Sequence, residues 1–555
     1  MSTQALQAEW ICLSETDTLS ETGRCALMTG IQAALGCSAA HRCSSLLLPL
    51  VTVLAATAQT PPAPRLWGTL QPGPYSVGFR SLYQLDTARS YDPDYTADGK
   101  TGVKNPRPIF IAVWYPAAAG TAGPMIYRDY FRAISTDSPV PEFTQRLRKY
   151  TRDTACQYML QREFASLTRE QRAAWDKFLS TDTFAHQDAS PAAGKFPTVI
   201  YHPGLGGTFE DNSVVFEYLA SHGYVVVSSA YQDADSTDLN IDGDFFTSLD
   251  DLSFLGRFVG TLPFADTSRL GAMGHSYGAQ AVLAWRAQPG SPVDAVVSVD
   301  STVEYVGLES PLCADVRAMF GRNRKSPVPV ILFADRLKKP RFDPFDSYLS
   351  SAPRYQSTVD NQEHNDFISQ GMIGESLLAD LSGNSGKAAS ARRNYDQIGL
   401  RILQFLNAYV KRDAEALAFL KGAGLRYKPP LPPEPTGKQL ARLFLQDGPD
   451  KTRQFLAGFK TNDPDVLDGA ASFLREDGRK QDAATMLGLA VEFVPGSRTL
   501  RQSLGEALEA IGDLTKAAAV YKKTLQLLAA DSTLTKPAKA ALRKALEEHL
   551  STLGH

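Results

Sequence analysis

Gly274, His275, Ser276, Tyr277 and Gly278 fit the pattern G-x-S-x-G. A short apolar run, residues 270–274, leads into the motif, and a helical pattern, residues 279–286, follows it. Strand, sharp turn and helix together hold a serine out at the edge of a sheet as a nucleophile. The two glycines let neighbouring backbone approach closely in a strained turn. The helix N-terminus favours the negative charge that develops there. A motif this short arises by chance about once in five chains of this length, so the context carries the assignment of Ser276.

A serine hydroxyl is too weakly acidic to attack unaided and needs a base. In α/β-hydrolases the triad runs in the order Ser, acid, His. Of the eight histidines, His41, His186, His202 and His222 precede Ser276, and His275 belongs to the elbow itself. His549 and His555 lie beyond a proline-rich stretch, which leaves His364, in NQEHNDF. The acid must orient the imidazole and balance its charge. Asp300 ends the apolar run AVVSV and Asp335 ends VPVILFA. Both would lie at the same edge of a sheet, so position leaves the two level. The loop YHPGLGG, residues 201–207, follows the run PTVIY. A glycine-rich loop there can offer backbone N–H groups to an oxyanion, with Leu205 and Tyr277 as the expected donors.

These residues need a scaffold. Apolar runs at 109–116, 197–201, 224–229, 270–274, 295–299 and 328–334 alternate with amphipathic segments such as 212–222 and 277–288. That alternation predicts a mostly parallel sheet covered by helices. A helix-rich insertion is expected over about residues 127–184, with Tyr127, Tyr130 and Phe131 either lining a pocket wall or packing the insertion onto the body. Residues 398–411 read as a closing helix. Five prolines between Pro429 and Pro435 mark a stiff linker. Beyond it, Gly478 and Gly512 lie 34 residues apart, and Leu474/Leu508, Ala483/Ala517, Ala484/Ala518 and Val491/Leu525 keep that offset. The repeat resembles tetratricopeptide units, whose paired helices usually bind partner proteins. A helical hairpin packed on the body fits the same pattern.

The combination of YHPGLGG, LASHGYVVVSSAYQDAD and GHSYG resembles the platelet-activating factor acetylhydrolase branch of α/β-hydrolases, close to the dienelactone hydrolases. The resemblance runs from about residue 109 to 366. It implies cleavage of esters with short or oxidised acyl chains, including phospholipid-type esters. Carried over, the acid falls on Asp300 and the oxyanion donors on Leu205 and Tyr277. Pro203 inside the loop and the C-terminal tail depart from the family's pattern.

The remaining features bound the reading. A chain of 555 residues exceeds one ordinary core, and the expected division is a leader (1–58), an α/β-hydrolase domain (59–428), a linker (429–436) and an all-α, TPR-like domain (437–555). A net charge of −3 offers no basic field for nucleic acid. Arg42, the run SLLLPLVTVLAATA and its small-residue end read as a signal peptide, implying export, with translation starting at Met28. After its removal Cys156 and Cys313 remain as a pair that could join in an oxidising compartment. No cysteine or histidine spacing suggests a metal site, and no cofactor is expected. The expected activity is serine-dependent carboxylic ester hydrolysis. The alternative is an inactive hydrolase-fold body whose tail binds a partner.

Overall fold

Strands bearing apolar residues on both faces must be covered on both, and the inner strands of this sheet are. The computed structural model describes residues 65–553 apart from 92–104, 121–122, 135–139, 232–244, 289, 307–326, 343–348, 431–434, 460–462 and 531–535. The leader, Cys313 and the middle of the proline run therefore lie outside the described residues. The chain divides into two compact units at Pro432/Pro433.

In the first unit β1 (Ser76–Tyr91) and β2 (Asn105–Ala117) precede the insertion, formed by α1 (Arg128–Arg132), α2 (Pro141–Leu160), α3 (Arg169–Leu179) and β3 (Ala185–Gln187). Then follow β4 (Phe196–His202), α4 (Ser213–Ser221), β5 (Val225–Ser229), α5 (Phe245–Val259), β6 (Ala265–His275), α6 (Tyr277–Arg286), β7 (Ala295–Val299), α7 (Thr302–Val306) and β8 (Val330–Asp335). The unit ends with β9 (Arg354–Val359), α8 (Ser369–Ser382), α9 (Gly386–Tyr409), α10 (Ala414–Gly422) and β10 (Arg426–Lys428). The sheet order is β10-β9-β8-β7-β6-β4-β5-β2-β1-β3. Strands β5, β4, β6, β7, β8 and β9 run parallel. Strand β2 is antiparallel to both its neighbours, and β10 to β9. The order, and a serine elbow after β6, make this an α/β-hydrolase fold.

Strand alternation sorts the core. Ile111, Val113, Val227, Ala272, Val296 and Leu332 pack with α5 and α6. Their neighbours Phe110, Ala112, Trp114, Val226, Met273, Val297 and Ile331 pack on the other face with α2, α4 and α9. The period of two along a strand produces both layers from one set of runs.

The insertion has clear local causes. Pro141 opens α2, and Thr168 with Gln171 forms a capping box at the start of α3. Buried Glu217 of α4 ties it down, accepting from Tyr130 Oη (2.5 Å), Phe184 N (2.9 Å) and Trp67 Nε1 (3.0 Å). Tyr127 and Tyr130 are fully buried, and Phe131 stacks on Trp175. The three aromatic residues therefore pack the insertion instead of lining a pocket, because the Tyr130 hydroxyl is drawn inward to Glu217. Cys156 on α2 is buried and forms no disulfide among the described residues, and burial pushes its thiol up to about 11.

The second unit is helical. Its elements are α11 (Gly437–Phe459, kinked at Gly448), α12 (Pro464–Glu476), α13 (Lys480–Phe493), α14 (Arg498–Ala510), α15 (Leu514–Ala530) and α16 (Lys536–Thr552). Gly478 and Gly512 each follow a helix in the left-handed conformation, at φ 77° and 83°, which glycine adopts without penalty. The small pairs Ala483/Ala484 and Ala517/Ala518 are buried at equivalent places. The unit has its own core, running from Leu440 to Leu550 and including Leu487 and Tyr521.

A core in each unit makes a prediction. A fragment of residues 65–432 should fold cooperatively, with a thermal midpoint within a few degrees of the corresponding transition in the full chain. The cut belongs after Pro432, because β10 pairs with β9 and Arg354 Nη2 donates to Pro429 O (3.1 Å). Calorimetry checks it; a fragment that aggregates would show that the cores depend on each other.

Candidate active site

Ser276 sits between β6 and α6 with φ 54° and ψ −120°. A non-glycine residue held there costs about 1–3 kcal/mol, a strain concentrated at functional sites. The motif's glycines answer to direct contacts. A Cβ on Gly274 would lie 2.3 Å from Gly278 O, and one on Gly278 would lie 2.1 Å from His202 O. The elbow and the glycine-rich loop thus touch backbone to backbone.

Ser276 N donates to Val299 O (2.9 Å), which seats the elbow on the end of β7. Asp300 follows directly, also at positive φ, 47°. Its buried Oδ2 accepts from His364 Nδ1 at 2.6 Å. The Asp300 side chain is 1% exposed and that of His364 48%, so the acid is sealed while the ring reaches outward. A carboxylate at Nδ1 places the proton there and leaves Nε2 as the basic nitrogen. The Tyr305 hydroxyl donates to the other Asp300 oxygen and accepts from Asp335 N (2.9 Å).

Asp335 does not meet His364. Its Oδ1 accepts from Leu337 N (2.8 Å) and its Oδ2 from Gln362 N (3.1 Å). Both oxygens are spent on backbone, holding the loop that carries the histidine. Of the two aspartates, Asp300 is the one paired with the imidazole. The bond between Ser276 Oγ and His364 Nε2 is not formed here; such bonds often tighten only with substrate.

His275, the variable residue of the motif, also bears on His364. Burial and the neighbouring His364 ring push it well below the usual imidazole range, so it is neutral at pH 7. Its Nε2 donates to His364 O (3.0 Å), and the two rings lie 4.6 Å apart.

Gly207 N donates to Gly204 O (2.9 Å), closing a turn with Leu205 exposed at its tip. A Cβ on Gly204 would stand 3.1 Å from Ser276 Cβ, which puts this loop beside the serine. Tyr277 opens α6 on the other side. Pro203 is accommodated: its carbonyl accepts from His202 Nδ1 at 2.7 Å. Burial brings His202 down to about 4, so it stays neutral and stacks on Tyr231. Tyr150 of α2 donates its hydroxyl to Gly206 O (2.8 Å), so the insertion borders the site.

The structure thus brings Ser276, Asp300, His364, Leu205 and Tyr277 to one end of the sheet. Sequence reasoning missed His275, Tyr305, Tyr150 and Gln362. Tyr305 lies five residues after Asp300, in the short helix that follows it, a weak signal that was available. The other three carry no local mark. Among the described residues no group of three or more His, Cys, Asp or Glu side chains is placed to hold a metal ion.

No family model matches the sequence, and no curated protein matches it. Among solved structures, the chain is similar to a ferulic acid esterase from Streptomyces cinnamoneus, at 17% sequence identity and a TM-score of 0.39. The match covers 61% of this chain and 91% of that one.

Proposed function

We propose that the chain is a serine hydrolase that cleaves carboxylic esters through an acyl-enzyme. The observation that carries this reading is the buried Asp300 bonded to an outward-reaching His364 beside a serine held at positive φ. In the reaction His364 Nε2 takes the proton of Ser276 as Oγ attacks the ester carbonyl. Asp300 stabilises the imidazolium, and the N–H groups of Leu205 and Tyr277 receive the oxyanion. The protonated His364 then gives its proton to the leaving alkoxide. Water, deprotonated by the same ring, frees the acid and restores the serine.

Acetyl or other short-acyl esters, including phospholipid types, are the proposed substrate class, on the resemblance of the loop and elbow motifs. Export rests on the leader and partner binding on the 34-residue repeat of the tail; both are proposals. The test is labelling of the full chain by a fluorophosphonate probe, with the modified peptide located by mass spectrometry, followed by an acyl-length panel. Modification at Ser276 with turnover of short-acyl esters is expected. No labelling and no turnover would favour the inactive, partner-binding alternative.

A further inference from the structure

Oxyanion donors work only when they sit about 2.7–3.1 Å from the place where charge develops. Here the donor loop and the base come from segments some 160 residues apart in sequence, and one buried side chain joins them. Gln370 lies in the first turn of α8, directly after the turn His364–Phe367. Its Nε2 donates to Thr208 Oγ1 (3.0 Å) and to Glu210 Oε1 (2.9 Å), and its backbone N donates to Asp211 O (3.0 Å). Ser369 Oγ adds a bond to Asp211 O (2.8 Å). Gln370, Thr208, Glu210 and Asp211 are all buried.

No cation pairs with Glu210 among the described residues. Burial pushes its carboxyl up to about 8, so at pH 7 it is mostly the neutral acid. Asp211 beside it is raised well above the carboxylate range by the same cause, and buried Tyr127 also faces Glu210. A neutral cluster keeps the amide bonds intact without burying a charge.

We infer that Gln370 is a positioning residue for the proposed ester hydrolysis, its amide fixing the oxyanion loop relative to His364. The inference rests on the serine-hydrolase reading. Gln370 touches no reacting atom; it sets where Leu205 N–H stands when the tetrahedral intermediate forms. A displacement of about 1 Å at such a site costs on the order of 10² in rate.

The experiment compares the wild type, Gln370→Leu and Glu210→Gln in the full chain. Gln370→Leu should lower kcat by about 10²-fold while KM stays within a few-fold, with the probe-labelling rate falling in parallel. Glu210 adds a pH signature. As pH rises through about 8, the wild type should lose activity because a charge appears beside Asp211 and Tyr127. Glu210→Gln cannot ionise, so its ratio of activity at pH 9 to that at pH 7 should exceed the wild-type ratio. Folded Gln370→Leu with wild-type kcat and labelling rate would overturn the inference, as would unchanged pH ratios. If Gln370→Leu does not fold, Thr208→Val removes one of the two amide bonds. It should show a smaller fall in kcat at unchanged KM, and a full wild-type kcat would overturn the inference. A wild type that neither labels at Ser276 nor cleaves any ester would instead overturn the hydrolase reading itself, and the role with it.

Discussion

Ser276→Ala should lower kcat for ester hydrolysis by about 10⁶ and abolish fluorophosphonate labelling. The loss is chemical and not structural. Alanine at this position meets the same positive φ that serine already bears, and the backbone bond from residue 276 to Val299 O is untouched by the substitution. Among the described residues Ser276 Oγ makes no bond whose loss would loosen the fold. The thermal midpoint should therefore stay near that of the wild type while turnover disappears. Measuring kcat, labelling and melting on one preparation separates the two effects. A variant that still labels would place the nucleophile on another serine and break the assignment of the elbow.

Asp300→Asn should lower kcat by about 10⁴. The carboxylate holds the proton on His364 Nδ1 at 2.6 Å; an amide in its place can turn its NH₂ to that nitrogen and leave the proton on Nε2, the wrong tautomer for a base. Tyr305 makes the position more exacting, since its hydroxyl donates to the second oxygen of the same carboxylate. Asp335→Asn should behave differently. It puts an NH₂ against either Leu337 N or Gln362 N, which costs stability in the loop before His364 and lowers kcat far less. Steady-state kinetics on both variants decide the matter. A larger loss of kcat at Asp335 than at Asp300 would mean that His364 changes its partner on substrate binding.

The elbow is legible in the sequence because its demands are local: a strand end, two glycines and a helix start within a few residues. His364 is legible by elimination, since so few histidines are present. The choice between Asp300 and Asp335 is not. Strands β7 and β8 are adjacent and parallel, so both aspartates reach the same edge, and only the path of the loop before His364 separates them. The inner strands are visible as apolar runs because both their faces are buried. Strand β1 was missed because much of its second half is exposed, and SVGFRSLYQLDTARSY shows no continuous apolar run. Gln370 and Tyr150 read as ordinary polar helix residues. Their importance comes from what folds against them, which no neighbouring residue announces.

Glu217 holds the start of the insertion through Tyr130, its end through Phe184, and the N-terminal segment through Trp67. Between those ends α2 is packed into the main core through Phe143, Leu147, Ala155 and Met159, so the insertion is held along its length and does not swing as a flap. The insertion then gives substrates a side of constant shape, so it should add no slow opening phase to association. Progress curves should start without a lag, and a lipid surface should bring no abrupt jump in rate of the kind that a displaced cover produces. Selection among acyl chains would fall to the fit of a rigid wall.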